Sequence, residues 1–219
     1  MTTNAGQRRS PFAQAMHRLA GLREPACLLD PEGIVLFVND AWDRFATDNG
    51  GGTRSGSGGV VGTRWLDGIH GEEPRRLHAE LLHRALRREG DGPAGAVVHT
   101  SENNDPLRAR LSATRLEALA SATGALMAVA VTHRRVRDRP IAEVYAPVEG
   151  DGSGHRSADG TWEQCGCCRR TRRPGPDEEW DFVRTLVAVP PPTTRFVYCP
   201  LCLELHGPGV PGPDGPGGA

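Results

Sequence analysis

Two pairs of cysteines carry the strongest chemical signal in this 219-residue sequence. Cys165 and Cys168 enclose Gly166-Cys167, and Cys199 and Cys202 enclose Pro200-Leu201. In a Cys-x-x-Cys turn both sulfurs can face one ion, so two such turns supply four soft ligands for a tetrahedral Zn²⁺. Cys167 is a fifth sulfur beside the first pair. It can replace Cys168 in an irregular turn, or serve as a redox thiol if the crowded thiolates sense oxidants. The two roles are compatible, because oxidation that releases the ion would act as a switch. Four protein ligands close the coordination shell, whereas a catalytic zinc keeps one position for water. The chemistry expected here is therefore structural.

The elements that must bring these turns together are sparse. The spacer between them contains few apolar residues, and Asp177, Glu178 and Glu179 suit a helix start, with Trp180, Val183 and Val187 along one face. A segment so poor in apolar side chains folds only with help. Structural zinc supplies about 10–16 kcal/mol in small zinc peptides. Arg169, Arg170, Arg172 and Arg173 follow the first turn directly. They can offset the net negative charge of four thiolates on one divalent ion, or contact nucleic acid. Charge compensation is favoured, since no partner basic run or aromatic interleaving stands beside them in the sequence.

Composition narrows the rest. Hydrophobic residues make up 37%, with Gly 28 and Pro 18, which predicts one real core with irregular stretches around it. The formal net charge is -1, so no global field draws the chain to nucleic acid or anionic membrane. All 26 basic residues are Arg. Without Lys, a P-loop and Schiff-base or pyridoxal-phosphate catalysis are excluded. The first thirty residues contain no uninterrupted apolar run of the secretory type, and no stretch approaches a membrane span. Five cysteines crowded at Cys-x-x-Cys spacing suit a metal in a reducing compartment, so a cytoplasmic protein with no membrane attachment is expected.

Along the chain, Ser10 can cap a helix beginning at Pro11, with Phe12, Met16 and Leu19 on one face. Two strand-like segments follow, 26–29 and 34–38, joined by Asp30-Pro31-Glu32-Gly33. Asn39 or Asp40 can cap a short helix through Trp42 and Phe45. Residues 49–59 are rich in Gly and Ser and read as loop; the GSGGVVG within them lacks the third glycine and the preceding strand of a dinucleotide site. A helical stripe runs over 72–89 through Leu77, Leu81, Leu82, Ala85 and Leu86. Strand candidates are 94–100, 107–116 and 125–132, and the second alternates Leu107, Ala109, Leu111 and Ala113 with polar residues. Two strands, a run of helices and three strands define an α+β domain with a five-stranded antiparallel sheet.

Residues 24–136 resemble a PAS domain. The resemblance rests on ACLLDPEGIVLFVNDAWDRFA, on VVGTRWLDGI ahead of the long helix, and on the three strands ending GALMAVAVTHRR. It implies a cupped sheet closed by helices, able to hold a small ligand or to dimerise, with Phe45, Trp65, His78, Val98, Leu111 and Met127 as pocket candidates. Flavin photochemistry is disfavoured because no Cys stands in VVGTRWLDGI; Cys27 reads as a buried apolar residue. Haem would need a helical His such as His78, and a lone inward His is more often a hydrogen-bonded core residue.

Residues 164–203 resemble a four-cysteine tail found after PAS or receiver domains in bacterial signalling proteins. Cys167 is an addition to that pattern, and Val197-Tyr198 replaces its usual His-Gly. The expected organisation is a flanking helix (1–23), a PAS-like sensory domain (24–136), a linker (137–160), a small zinc-ribbon-like module (161–206) and a disordered tail (207–219). No nucleophile elbow, HExxH or kinase machinery is present, so the chain does not read as an enzyme. The expected role is sensory signal transduction. A PAS-like domain senses a small ligand or redox state and dimerises or binds a protein partner, while a structural zinc module mediates interaction. The alternative is a zinc-dependent, transcription-associated DNA binder acting through Arg169 to Arg173.

Overall fold

The computed structural model describes residues 10–48 and 55–206. Helix α1 (Pro11–Ala20) opens the chain, and the Ser10 hydroxyl accepts the Ala13 N–H to satisfy its first turn. Strands β1 (Ala26–Leu29) and β2 (Val35–Val38) form an antiparallel hairpin. The Asp30–Gly33 turn between them closes as its residue types demand: the Asp30 carboxylate accepts the Ile34 N–H, and Gly33 takes a φ of 80°. Helix α2 (Asp40–Asp48) follows at once, then a short helix α3 (Ser57–Val60) and a 3-10 turn at Trp65–Gly68. Helix α4 (Glu72–Arg87) precedes β3 (Val97–Glu102), β4 (Arg108–Ala120) and β5 (Leu126–Pro140). The resulting five-stranded antiparallel sheet has the order β2-β1-β5-β4-β3, so the α+β expectation is met.

A second five-stranded sheet lies beyond it in the chain. It comprises β6 (Pro147–Val148), β7 (Trp162–Cys165), β8 (Thr171–Arg172), β9 (Trp180–Val183) and β10 (Thr194–Val197) in the order β10-β7-β8-β9-β6. Strands β7, β8 and β9 run antiparallel, while β10 on β7 and β6 on β9 are parallel. Helix α5 (Arg184–Ala188) follows β9 and helix α6 (Pro200–His206) follows β10.

The chain divides into two compact units: Met1–Trp65 with Arg84–Val97 and Arg115–Thr132, and Leu66–His83 with Val98–Thr114 and His133–Ala219. In the first, Leu19, Ala26, Leu28, Ala128 and Ala130 form the core, with Phe12, Met16 and Phe37 packed against it. Asn39, 2% exposed, ties that unit together. Its Oδ1 accepts the Ala26 and Trp42 N–H groups, and its Nδ2 donates to the Leu19 and Glu24 carbonyls. One side chain thus ends α1, starts β1 and caps α2. In the second unit, Ala109, Ile141, Phe182 and Val187 form a core, with Tyr145 stacked on Phe182 at 5.5 Å.

Three local expectations are corrected. The segment 137–160 is not a bare linker: β5 continues to Pro140, Ile141 is 1% exposed, and β6 adds to the second sheet. Its glycines serve tight turns: Gly152 has a φ of 75°, and a Cβ there would sit 2.6 Å from the Leu186 side chain. Trp180 to Val183 is strand, not helix, because pairing with β8 and β6 buries Phe182 and Val183 while Asp181 reaches polar partners. The expected loop at 49–59 contains α3 at its end, and residues 49–54 lie outside the described ones, as does the proposed tail at 207–219.

Candidate metal centre

The β7–β8 hairpin carries the first cysteine turn. Pairing of Gln164 with Thr171 sets the hairpin, the Cys165 N–H donates to the Arg170 carbonyl, and the Arg169 N–H donates back to the Cys165 carbonyl. The chain closes this tight turn with Arg169 at a φ of 67°. The second turn sits where β10 gives way to α6, and there the Leu203 N–H donates to the Cys199 carbonyl. Parallel pairing of Val197 with Cys165 brings the two turns together, and the Gly166 N–H bonds the Val197 carbonyl at 2.7 Å across the gap.

The sulfurs of Cys165, Cys168, Cys199 and Cys202 consequently lie within 4.8 Å of one another, all buried. A tetrahedral ion with Zn–S bonds of about 2.3 Å would hold sulfurs roughly 3.8 Å apart. The Cys168 and Cys199 sulfurs stand 3.7 Å apart. Crowding splits their titration. Hydrogen bonding among the thiols pulls Cys165 down to about 7 and Cys199 lower still, and pushes Cys168 and Cys202 up. Four thiolates in so small a space need a cation to replace the shared protons, so the donor set fits a divalent metal.

Cys167 is turned elsewhere. Its thiol, also buried, donates to the Glu102 carbonyl at 3.4 Å. Cys27, the remaining cysteine, is fully buried in β1, and burial pushes its thiol up to about 12. All six cysteines are free thiols.

The basic run is engaged inside the unit. Arg170 donates through Nε to the Cys168 sulfur at 3.2 Å and through Nη2 to the Cys199 sulfur at 3.3 Å, with its guanidinium 5.5 Å from the Tyr145 ring centre. Arg169 lies over Phe196, Arg172 pairs with Glu163 at 2.9 Å, and Arg173 pairs with Glu179 and Asp181. A further network buttresses the turn. Asn104, 4% exposed, donates to the Cys168 carbonyl at 2.9 Å and to Glu102, and the Tyr145 hydroxyl donates to the same carboxylate. Burial and that bond to Glu102 push the Tyr145 hydroxyl well above its ordinary pKa. From the other side, Glu73 accepts the Tyr198 N–H at 2.8 Å. Sequence reasoning did not single out Glu73, Glu102, Asn104 or Tyr145. No local spacing links them to the cysteines; only the fold does.

The ligand-pocket candidates fare unevenly. Trp65 is buried, Leu111 and Met127 are half-buried, and Phe45 and Val98 are 39% and 47% exposed, too open for the wall of an enclosed pocket. Val98 is displayed because its neighbour Val97 takes the buried side of β3. His78 is half-buried, with Nδ1 at 2.8 Å from the Pro74 carbonyl and its ring edge-on to His99. That contact occupies one ring nitrogen within α4 itself. The clefts formed by described residues include one of about 270 Å³ between Arg18, Leu22 and Thr132 and one of about 660 Å³ between His70, Arg76 and Phe196. Neither is lined by any of the six candidates.

No protein-family model and no curated protein matches the chain. Among solved structures, it is similar to the PAS domain of BvgS from Bordetella pertussis, at 18% identity over 61% of this chain and 90% of that one, with a TM-score of 0.45. It is also similar to a sensory box sensor histidine kinase from Vibrio cholerae (12% identity, 57% and 90% covered, TM-score 0.39) and to a phage VqmA in complex with DPO (13%, 57% and 52%, 0.39). At TM-scores below 0.5 these likenesses carry no weight for function. Among the described residues, no helix is long and apolar enough to cross a membrane.

Proposed function

We propose that this chain is a PAS-type sensory signalling protein whose C-terminal module is folded around a structural zinc ion and mediates protein interaction. Convergence of four buried sulfurs within 4.8 Å is the observation that carries the metal reading. Cys165, Cys168, Cys199 and Cys202 are the ligands, and zinc is favoured because four thiolates at this spacing match its preferred donors and geometry. A closed four-sulfur shell leaves no position for substrate, so the site organises structure rather than catalysing a reaction. Free thiols suit a reducing, cytoplasmic compartment.

The sensory half of the proposal rests on the sequence resemblance together with the order of two strands, helices and three strands. Its partner is a second copy of the chain or another protein, and its input a small ligand or redox state. The alternative of DNA contact through Arg169 to Arg173 is not favoured, because those guanidinium groups are held by sulfur, aromatic and carboxylate partners. Elemental analysis and an absorption spectrum of freshly purified, reduced protein test the whole reading. About one equivalent of zinc and no chromophore is expected. Metal-free protein with intact secondary structure would end the metal proposal, and a Soret band would return haem and His78 to consideration.

A further inference from the structure

The far end of β5 is unlike the rest of the strand. Ala128, Val129, Ala130 and Val131 are all buried, whereas Arg134, Arg135, Val136 and Arg137 are all exposed, and Arg139 and Pro140 with them. Successive strand residues point to opposite faces, so four exposed in a row leave neither face covered. Strand β1 accompanies β5 only along residues 129–132.

The charge on this segment is poorly compensated. Asp138 receives Arg108 at 2.6 Å, Arg135 at 3.1 Å and Arg110 at 3.7 Å, so one carboxylate serves three guanidinium groups. Asp105 takes a further bond from Arg110 at 2.7 Å. Arg134, Arg137 and Arg139 have no ion-pair partner among the described residues. Arg135, Arg137 and Arg139 recur at every second residue, roughly 6.6 Å apart along the strand. A charge or two would be enough to discourage edge-to-edge pairing of strands. Four guanidinium groups of one sign within six residues exceed that need.

We infer that this arginine ribbon, residues 134–139, binds the phosphodiester backbone of a nucleic acid through Arg134, Arg137 and Arg139, without reading base sequence. Guanidinium forks match phosphate oxygens two at a time, and along the edge that β1 leaves open Arg137 and Arg139 meet a polymer of regularly spaced anions from one face of the strand and Arg134 from the other. The ribbon offers no aromatic side chain for base stacking, which points to backbone contact alone. Protein partners depend on desolvated aromatic or aliphatic anchors, and Val136 is the sole apolar residue among these six. The inference is independent of the metal centre and of the sensory reading.

Fluorescence anisotropy of the full chain with a labelled 30-nucleotide single strand and with the corresponding duplex tests it. Binding in the micromolar range at 50 mM salt is expected for either oligonucleotide, and their ratio reports the preferred geometry. The triple variant Arg134→Gln/Arg137→Gln/Arg139→Gln should bind at least tenfold more weakly, with the slope of log K against log salt smaller by about 2 to 3. The corresponding Arg→Lys triple should keep most of the binding, which separates lost charge from lost folding. Wild-type protein that ignores both oligonucleotides, a glutamine triple that binds unchanged, or stronger binding to a polyglutamate peptide would each overturn the inference.

Discussion

Replacing Arg170 by Gln should weaken zinc binding by about 10- to 150-fold while leaving the four sulfurs in place. Arg170 makes two charge-assisted contacts to the proposed ligands, at 3.2 Å to Cys168 and 3.3 Å to Cys199. Hydrogen bonds to charged groups contribute about 1.5–3 kcal/mol each. Arg170 is only partly buried, so water would replace part of what is lost, and we discount the pair by half for screening. The net loss is then about 1.5–3 kcal/mol, which converts to the stated range at about 1.4 kcal/mol per tenfold. That agrees with the 10- to 100-fold commonly seen on removing outer partners of metal ligands. Competition against a chromogenic chelator in reducing buffer measures it directly. Arg170→Lys should fall between, because an ammonium keeps the charge and loses the two-donor fork. Arg172→Gln, whose partner is Glu163, is the control and should stay within about threefold. Equal affinities for Arg170→Gln and wild type, or an equal loss in the control, would refute the reasoning.

Further outcomes can be checked on the same protein. Cys199→Ser should abolish stoichiometric zinc, whereas Cys167→Ser should retain about one equivalent by elemental analysis, since the Cys167 thiol faces the Glu102 carbonyl. Asn39→Ala orphans buried groups at three element ends and should cost about 3 kcal/mol, read as a fall in Tm of roughly 6–12 °C; a change under about 2 °C would contradict the role assigned to it. Burial, then the charge of nearby His78, lowers the His133 pKa to about 4 from 6.5. It binds its proton more readily unfolded, so its contribution to stability is complete above about pH 6.5 and is lost as pH falls toward 4. Urea midpoints taken from pH 7 to 4.5 should therefore decline, and His133→Asn should flatten that decline. A slope identical in variant and wild type would exclude His133 as its source.

Much of the first sheet was legible because its signals are local. Ser10 with Pro11, the Asp30–Gly33 turn, the Leu77 to Leu86 stripe and the alternation after Leu107 each report on neighbours within a few residues. The pocket candidates were less so, since whether Val98 or Val97 turns inward depends on the face that β3 presents, and apolar character alone does not say. The cysteine pattern was legible for a different reason. Paired Cys-x-x-Cys turns are a specific metal-site pattern, so spacing named the candidate sulfurs, Cys167 among them, and the fold decided that Cys168 converges with the other three while Cys167 turns to Glu102.

Residue types and short-range spacing by themselves determined the hairpin, the antiparallel strand set, the caps at Ser10 and Asn39 and the two cysteine turns that hold the candidate ligands. Tertiary structure alone decided how those ligands are held. Parallel pairing of β10 with β7 joins turns thirty-odd residues apart, and Asn104 reaches the Cys168 carbonyl from the β3–β4 connection, far earlier in the chain. It also decided that Trp180 to Val183 would be strand and that 147–148 would join a sheet, because a strand's hydrogen bonds are made to other segments. The same division separates the two arginine runs. They look alike in sequence, and only the fold supplies one with sulfur and carboxylate partners while leaving Arg134, Arg137 and Arg139 of the other without an ion-pair partner among the described residues.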